Sequence, residues 1–522
     1  MWLLDTETQQ LHPVEFFEHN RPRYAILTHR WRDDEVMFAD MGNLDQAKTK
    51  ASWPKIRMTC EKARSHGLKY AWVDSCCIDK SSSAELSEAI NSMWHWYLEA
   101  TECYAFLDDC DLSSTTVPFE EQLRASEWFR RGWTLQELIA PGPDCFWFYD
   151  KRWNKMGDKS LLSSLIANIT SIPQRVLLDP HAVSTYSIAQ RMSWASQRQT
   201  TRIEDTAYCL LGIFGINMPL LYGERERAFL RLQEELIKKT SDLTLLAWES
   251  SDQNITAEFC DVFASSPSVF ANSGQIKLAW NEESPQWTLT SKGLEVYDEI
   301  YQTWIGGVFK TLWWIGSIDT STRQSFDDFR NIYGRPFDIH LVFVELDMIG
   351  PGIYVRTKQN LLSLSVANWQ KPQSLAHTRC QINTLSFPNL AHWYTDIYRL
   401  YLKVPRGMQI VGLFPEKYSN FGEKFLFKTT LLYVHVILIR ISEGDDVICL
   451  VDSHIHPKRT GHILRFRMLN RRQSPLLAEA ILQRLNVTEV LSQTLTSVHP
   501  EVTSLIDSTL AKVRGQTYVV SA

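Results

Sequence analysis

A basic excess, a long apolar run and the common nucleotide- and metal-binding motifs are all missing from this 522-residue chain. Lys and Arg number 54 against 60 Asp and Glu, a formal net charge of −6. That balance lacks the positive field on which electrostatic nucleic-acid binding depends, so no nucleic acid partner is expected. The longest strongly apolar run, Leu431 to Ile441, is interrupted by His435 and Arg440 and is about half of what a bilayer span requires. Met1-Trp2-Leu3-Leu4 runs straight into Asp5, without the basic flank and apolar core of a secretory signal. These absences predict a soluble, cytoplasmic protein with no membrane span. There is no CxxC, Walker A loop, GxGxxG, GxSxG or HExxH, which removes the usual zinc, P-loop, dehydrogenase, hydrolase and zincin readings. Ten cysteines are compatible with either redox compartment, and no metal site is expected.

What the chain does have is length and aromatic bulk. At a soft prior of about 150 residues per domain it should hold roughly three domains. Its 19 Trp, 18 Tyr and 24 Phe can fill a large core, which excludes disordered and disulfide-stapled classes. The tryptophans are uneven: twelve fall between Trp2 and Trp248, seven between Trp280 and Trp393, and none follows.

Short apolar runs alternate with helical patterns over the first 150 residues. Tyr24 to Thr28, Tyr70 to Asp74, Tyr104 to Leu107 and Cys145 to Tyr149 read as strands. Between them, Pro54 opens a helix carrying Ile56, Cys60 and Ala63 and stopped at Gly67. Ser82 and Glu85 have capping-box spacing before Leu86, Ile90, Met93 and Tyr97. Trp128 to Ile139 reads as a third helix. Strand and helix repeated in this way predict an α/β fold, a parallel sheet with helices on both faces. Ligands then bind beyond the carboxyl ends of the strands, in the loops after Thr28, Asp74 and Asp108-Asp109. From Leu161 to about Trp248 the period is helical, with candidate helices from Ile203 to Phe214 and from Glu224 to Thr240. A polar stretch, Ser250 to Asn254, reads as a linker. Beyond it, β-branched and aromatic runs predict a β-rich domain with helices near 475–515. The expected divisions are thus 1–160, 161–250 and 251–522.

Several blocks in order closely resemble the HET (heterokaryon incompatibility) domain of filamentous fungi. They are Tyr24-Ala25-Ile26-Leu27-Thr28-His29-Arg30-Trp31, Trp72-Val73-Asp74-Ser75-Cys76-Cys77-Ile78-Asp79-Lys80 and Arg131-Gly132-Trp133-Thr134-Leu135-Gln136-Glu137-Leu138-Ile139-Ala140-Pro141. The likeness continues through Arg191 to Ser196, Thr201 to Phe214 and Met218 to Glu224, covering roughly residues 1–250. Arg225 departs from the family, which usually continues with Gly there, and leaves the local turn in question. The HET domain in turn resembles a divergent TIR domain, a flavodoxin-like parallel sheet.

The TIR resemblance implies cleavage of NAD at its nicotinamide glycosidic bond by a Glu four residues after a Trp on one helix, a spacing shared by Trp133 and Glu137. It implies NAD as substrate rather than as a cofactor, self-association on activation, an activating or restraining protein partner, and a cell-death role in innate-immunity-type signalling. Residues four apart on a helix share a face. Breaking the ribose–nicotinamide bond develops oxocarbenium character, which one nearby carboxylate stabilises, so Glu137 is the candidate catalytic residue. Trp133 then either packs in the core or walls the nicotinamide. Thr28 stands at the end of the first strand beside His29 and Arg30, which suit pyrophosphate contacts, and Trp31 follows them. Asp74 fits either a ribose hydroxyl or a cap on the following turn. Cys76-Cys77 are expected to pack as small apolar residues. The rival reading is a non-catalytic HET signalling module acting by protein association, which an exposed aromatic surface would favour. The enzyme reading expects Glu137 to open into a pocket with Thr28, Arg30 and Asp74 around it, and a buried, ion-paired Glu137 with no cleft would favour association.

Overall fold

The computed structural model describes residues 1–13, 22–249 and 261–278, and beyond them chiefly β-strands. By contacts the chain divides into two compact units. One comprises Met1–Gln253, Phe263–Glu282 and Ile315–Val342; the other comprises Asn254–Val262, Glu283–Trp314 and Phe343–Ala522.

The first unit is built on a seven-stranded sheet. Its strands are β1 (Trp2–Asp5), β2 (Leu11–Pro13), β3 (Tyr24–His29), β4 (Tyr70–Val73), β5 (Glu102–Phe106), β6 (Phe146–Tyr149) and β7 (Lys155–Asp158), in spatial order β2-β1-β4-β3-β5-β6-β7. The four central strands are parallel and coincide with the four expected from sequence. All six residues of β3 are buried, as a central strand covered on both faces requires. The expectation of a purely parallel sheet needs correction: β1, β2 and β7 add antiparallel edges. These strands are three or four residues long, too short to show a period of two.

Eleven helices accompany this sheet among the described residues: α1 (Leu44–Ala47), α2 (Trp53–Ser65), α3 (Ser83–Leu98), α4 (Phe119–Ala125), α5 (Thr134–Ile139), α6 (Lys159–Thr170), α7 (Gln174–Leu178), α8 (Ile188–Ser193), α9 (Asp205–Tyr208), α10 (Leu211–Phe214) and α11 (Arg227–Lys239). Pro54 sits in the first turn of α2, and Gly67, at φ +71°, follows its end. The Ser82 hydroxyl accepts from Glu85 N at 3.3 Å, while the Glu85 carboxylate is engaged by the Trp2 indole. The helix expected from Trp128 to Ile139 is broken: Glu127–Arg130 is a 3-10 turn, and α5 begins only at Thr134. The candidate helix from Ile203 to Phe214 likewise splits into α9 and α10, ending at left-handed Gly215.

Crossovers β3–α2–β4 and β4–α3–β5 run in opposite directions along the sheet. Right-handed connections therefore set α2 and α3 on opposite faces. Alternation along β3 follows: Tyr24 bonds the Trp96 carbonyl of α3 (2.6 Å), Thr28 points the same way, and His29 points to the α2 face. Among the parallel strands the order is second, first, third, fourth. This is a doubly wound order whose reversal falls between β3 and β5, where such sheets open a crevice for ligands.

Residues 263–278 complete the first unit. Gln233 exchanges two hydrogen bonds with Ala264 (2.9 Å each), Ser187 donates to the Ile276 carbonyl (2.6 Å), and Phe263, Pro267, Phe270 and Ile276 are buried.

The second unit is β-rich. Gly293–Ile305 pairs antiparallel with Val308–Asp319 from Val308↔Ile305 to Trp313↔Ile300. Gln409–Phe414, Val434–Ser442, Asp445–Ile455 and His462–Asn470 form a four-stranded antiparallel sheet. The helices expected near 475–515 lie outside the described residues.

Candidate functional site

The end of β3 brings Thr28 and Glu137 together across 109 positions of sequence: the Thr28 hydroxyl donates to Glu137 Oε2. Above them, the indole N–H of Trp128 donates to Thr28 Oγ1 (3.0 Å), and the Tyr97 hydroxyl donates to the Leu27 carbonyl (3.1 Å). Glu137 is 6% exposed. Burial, then the negative charge of Asp74, push its carboxyl up to about 8, against the opposing effects of Thr28 and Arg131. The hydrogen bonds with Thr28 and Tyr97 favour the ionised form, and burial outweighs them. Trp128, Thr28 and Glu137 are thus linked in a chain, Trp128 donating to Thr28 and Thr28 to Glu137.

The opposite side of the strand end is ionic. His29 lies 3.7 Å from Asp74 Oδ1 and 3.9 Å from Glu35 Oε2. Neither of its buried ring nitrogens has a hydrogen-bond partner among the described residues. Burial, then the charges of Lys55, Arg131 and Lys80, hold its pKa well below the ordinary value, so His29 is neutral. Glu35 pairs with Lys55. Trp31 donates to Asp74 Oδ2 (2.8 Å), and Lys80 sits 3.5 Å from the centre of its ring. Asp34, left-handed at φ +61°, accepts from Ala51 N and ties the loop after β3 to the start of α2.

Of the residues singled out in the sequence, Thr28 and Glu137 touch, as do Trp31 and Asp74, with His29 adjoining Asp74. Arg30 is engaged elsewhere, in ion pairs with Glu127 and Asp109. Trp133, half-buried, precedes α5 one turn before Glu137, whose N–H reaches the Trp133 carbonyl at 3.5 Å. Cys76 and Cys77 are buried with sulfurs 4.0 Å apart; contact with Cys77 and burial raise the Cys76 thiol. Among the described residues no group of three His, Cys, Asp or Glu side chains is placed to hold a metal ion.

Sequence reasoning missed Tyr97 and Trp128 as partners of the site. Both were visible only as apolar positions of helical patterns. It also missed Lys159, wholly buried, whose ammonium donates to the Leu138 (2.9 Å) and Pro141 carbonyls at the end of α5. Helix ends leave such carbonyls unpaired, but nothing local to Lys159 announces that it will supply the donor.

Fold and site together define a doubly wound α/β protein with a buried, proton-holding carboxyl at the reversal of its strand order. Residues 24–117 match the family described as Heterokaryon incompatibility protein (HET). The chain is also similar to Vegetative incompatibility protein HET-E-1 of Podospora anserina, 42% identical over 224 residues. That stretch is 42% of this chain and 16% of the relative, so the chain spans well under two thirds of its length. No solved structure matches the chain. Among the described residues no helix is long and apolar enough to cross a membrane.

Proposed function

We propose that the first unit is the effector part of a heterokaryon-incompatibility-type protein and that it hydrolyses NAD at the nicotinamide glycosidic bond. The family match and the name of the relative support the incompatibility role, and the strand order supports a TIR-like reading of the sheet. The observation that carries the chemistry is Glu137, a carboxyl held by Thr28 at the end of β3, beside the reversal of strand order at which doubly wound sheets take ligands.

In the closed state Glu137 holds its proton. The cationic nicotinamide riboside of NAD beside it favours the ionised form, because an opposite charge lowers a carboxyl pKa. The carboxylate then stabilises the developing oxocarbenium, nicotinamide leaves neutral without needing an acid, and water adds to the ribosyl carbon and loses a proton to complete the hydrolysis. Trp133 walls the ring, and Asp74 and His29 stand at the neighbouring strand ends for ribose and phosphate oxygens. Because Glu137 is covered, activation opens the site. Self-association and a restraining or triggering partner, acting with the β-rich part, supply that step.

The rival, a non-catalytic association module, calls for an exposed aromatic surface. All twelve tryptophans up to Trp248 are described, and none is exposed: seven are buried and five are half-buried. That tells against association through tryptophans, whereas the cover over Glu137 (6% exposed) and the pairing of Arg30 with Glu127 and Asp109 tell against the open pocket that the enzymatic reading expects around it.

The test is nicotinamide release from NAD over a range of protein concentrations. Wild type releases it and Glu137→Gln falls by about 10²-fold or more. Equal release by both removes Glu137 from the mechanism, and release by neither returns the proposal to association.

A further inference from the structure

Trp128 and Glu137 are nine positions apart in sequence. On one continuous helix they would lie about 13 Å apart along the axis and on opposite faces, yet both reach the hydroxyl of Thr28. The chain turns between them. Gln199 takes the N–H of Gly132 (2.8 Å) and gives its own to the Arg130 carbonyl (2.7 Å). Arg198 donates to the Arg131 carbonyl (2.9 Å) and the Thr134 hydroxyl (3.0 Å). Gly132 permits this approach, because a Cβ there would lie 2.5 Å from a Thr200 methyl. Thr134, the first residue of α5, donates in turn to the Trp128 carbonyl (2.6 Å) and so ties the turn that carries Trp128 to the helix that carries Glu137.

The indole is enclosed. Trp128 is 1% exposed, with Phe129 edge-on at 5.0 Å and Phe148 at 6.0 Å. Such rings ask only for an apolar neighbour; what distinguishes tryptophan is its N–H, which donates and never accepts. Its recipient is Thr28 Oγ1 (3.0 Å), wholly buried, whose own proton goes to Glu137 Oε2. A hydroxyl that accepts from an N–H is polarised and becomes the stronger donor. Donation to Glu137 favours its carboxylate, the form the reaction uses, against the burial that favours the carboxyl.

We propose that Trp128 is a positioning residue for Glu137 that acts through Thr28: its indole N–H directs and polarises the Thr28 hydroxyl, which holds the Glu137 carboxylate for reaction. This rests on the reading under Proposed function and deepens it by naming the group that readies the carboxyl. The break before α5 is what makes the arrangement possible, since it lets two residues of one short segment approach a single hydroxyl from different sides.

The experiment uses the full chain without NAD, labelled with 13C at the glutamate carboxyls and 15N at the indoles, the Glu137 signal being assigned by its loss in Glu137→Gln. The midpoint of the Glu137 titration is read against pH. Thr28→Val, which keeps the shape and loses the hydroxyl, should raise that midpoint by about one pH unit. Trp128→Phe, which keeps an aromatic ring and loses the N–H, should raise it by about 0.3 pH unit in wild type and by nothing further in Thr28→Val. No change in wild type, or the same change in both backgrounds, overturns the proposal. A second measurement leaves Trp128 in place: in wild type an indole signal follows the Glu137 midpoint, and in Thr28→Val it ceases to. If no indole signal does so, the proposal is overturned. Nicotinamide release is measured separately. If the titrations come out as expected and wild type releases none, hydrolysis fails while the coupling of Trp128 to Glu137 stands.

Discussion

Glu137 in the sheet part and Glu204 in the helical part are equally covered, each 6% exposed, and they are held in opposite states. Burial and the charge of Asp74 raise Glu137 to about 8. Glu204 lies below the ordinary range because backbone N–H groups, including those of Gly223 and Arg225, donate to it. Depth and donors together set the charge of a carboxyl: burial outweighs the donors at Glu137, and backbone donors outweigh burial at Glu204. The helical part spends its carboxylate on fixing a loop, whereas the sheet part keeps a proton that a cationic ligand can displace.

The largest effect expected from breaking this contrast is on stability at alkaline pH. The folded pKa of Glu137 lies above its unfolded value, so its contribution is fully present below about 4.5 and is lost as pH rises through about 8. Glu137→Gln removes the penalty. The variant should gain on wild type as pH rises, by about 4 kcal/mol at most near pH 9, measured as urea midpoints at several pH values. A gain that does not vary with pH would show that the wild-type carboxyl is already ionised.

At Glu204 the sign reverses. A depressed folded pKa gives stability that is present above the unfolded pKa and lost as pH falls through the folded one. Glu204→Ala strands two backbone donors and should cost about 1–3 kcal/mol, read from the same urea transitions at neutral pH.

Gly132→Ala tests the clamp between the two parts. The added methyl would meet Thr200 at 2.5 Å and the Cys209 sulfur at 3.0 Å, and a loss of about 1–3 kcal/mol is expected. No loss would mean that residues 199–209 sit more loosely on the turn before α5 than these contacts require.

The smallest effect is at Arg225, a non-glycine held at φ +54°. Arg225→Gly relieves the left-handed strain but frees the unfolded chain, leaving a net gain of about 0.5 kcal/mol in the urea midpoint.

Much of the sheet was legible. Tyr24 to Thr28, Tyr70 to Asp74, Tyr104 to Leu107 and Cys145 to Tyr149 each fall within about two residues of a parallel strand, because buried central strands are continuous apolar runs. The helices of residues 128–139 and 224–240 were read too long. Gln199 captures the Gly132 N–H and the Arg130 carbonyl, so the backbone at that point bonds a distant segment instead of its own helix. Arg225 takes a left-handed conformation to reach Glu204, which delays α11 to Arg227. Within the candidate site, the spacing of Trp133 and Glu137 was readable; the groups around Glu137, Thr28 and Tyr97, come from other segments.

The sequence by itself determined the alternation of strands and helices, the spacing that sets Trp133 and Glu137 one turn apart, and the absence of the common motifs, since all of these depend on residues close along the chain. Only the tertiary structure decided that burial raises Glu137, that His29 is neutral and that Thr28 meets Glu137. Charge state and hydrogen-bond direction depend on which distant groups share a buried volume, and chain folding alone brings those groups together.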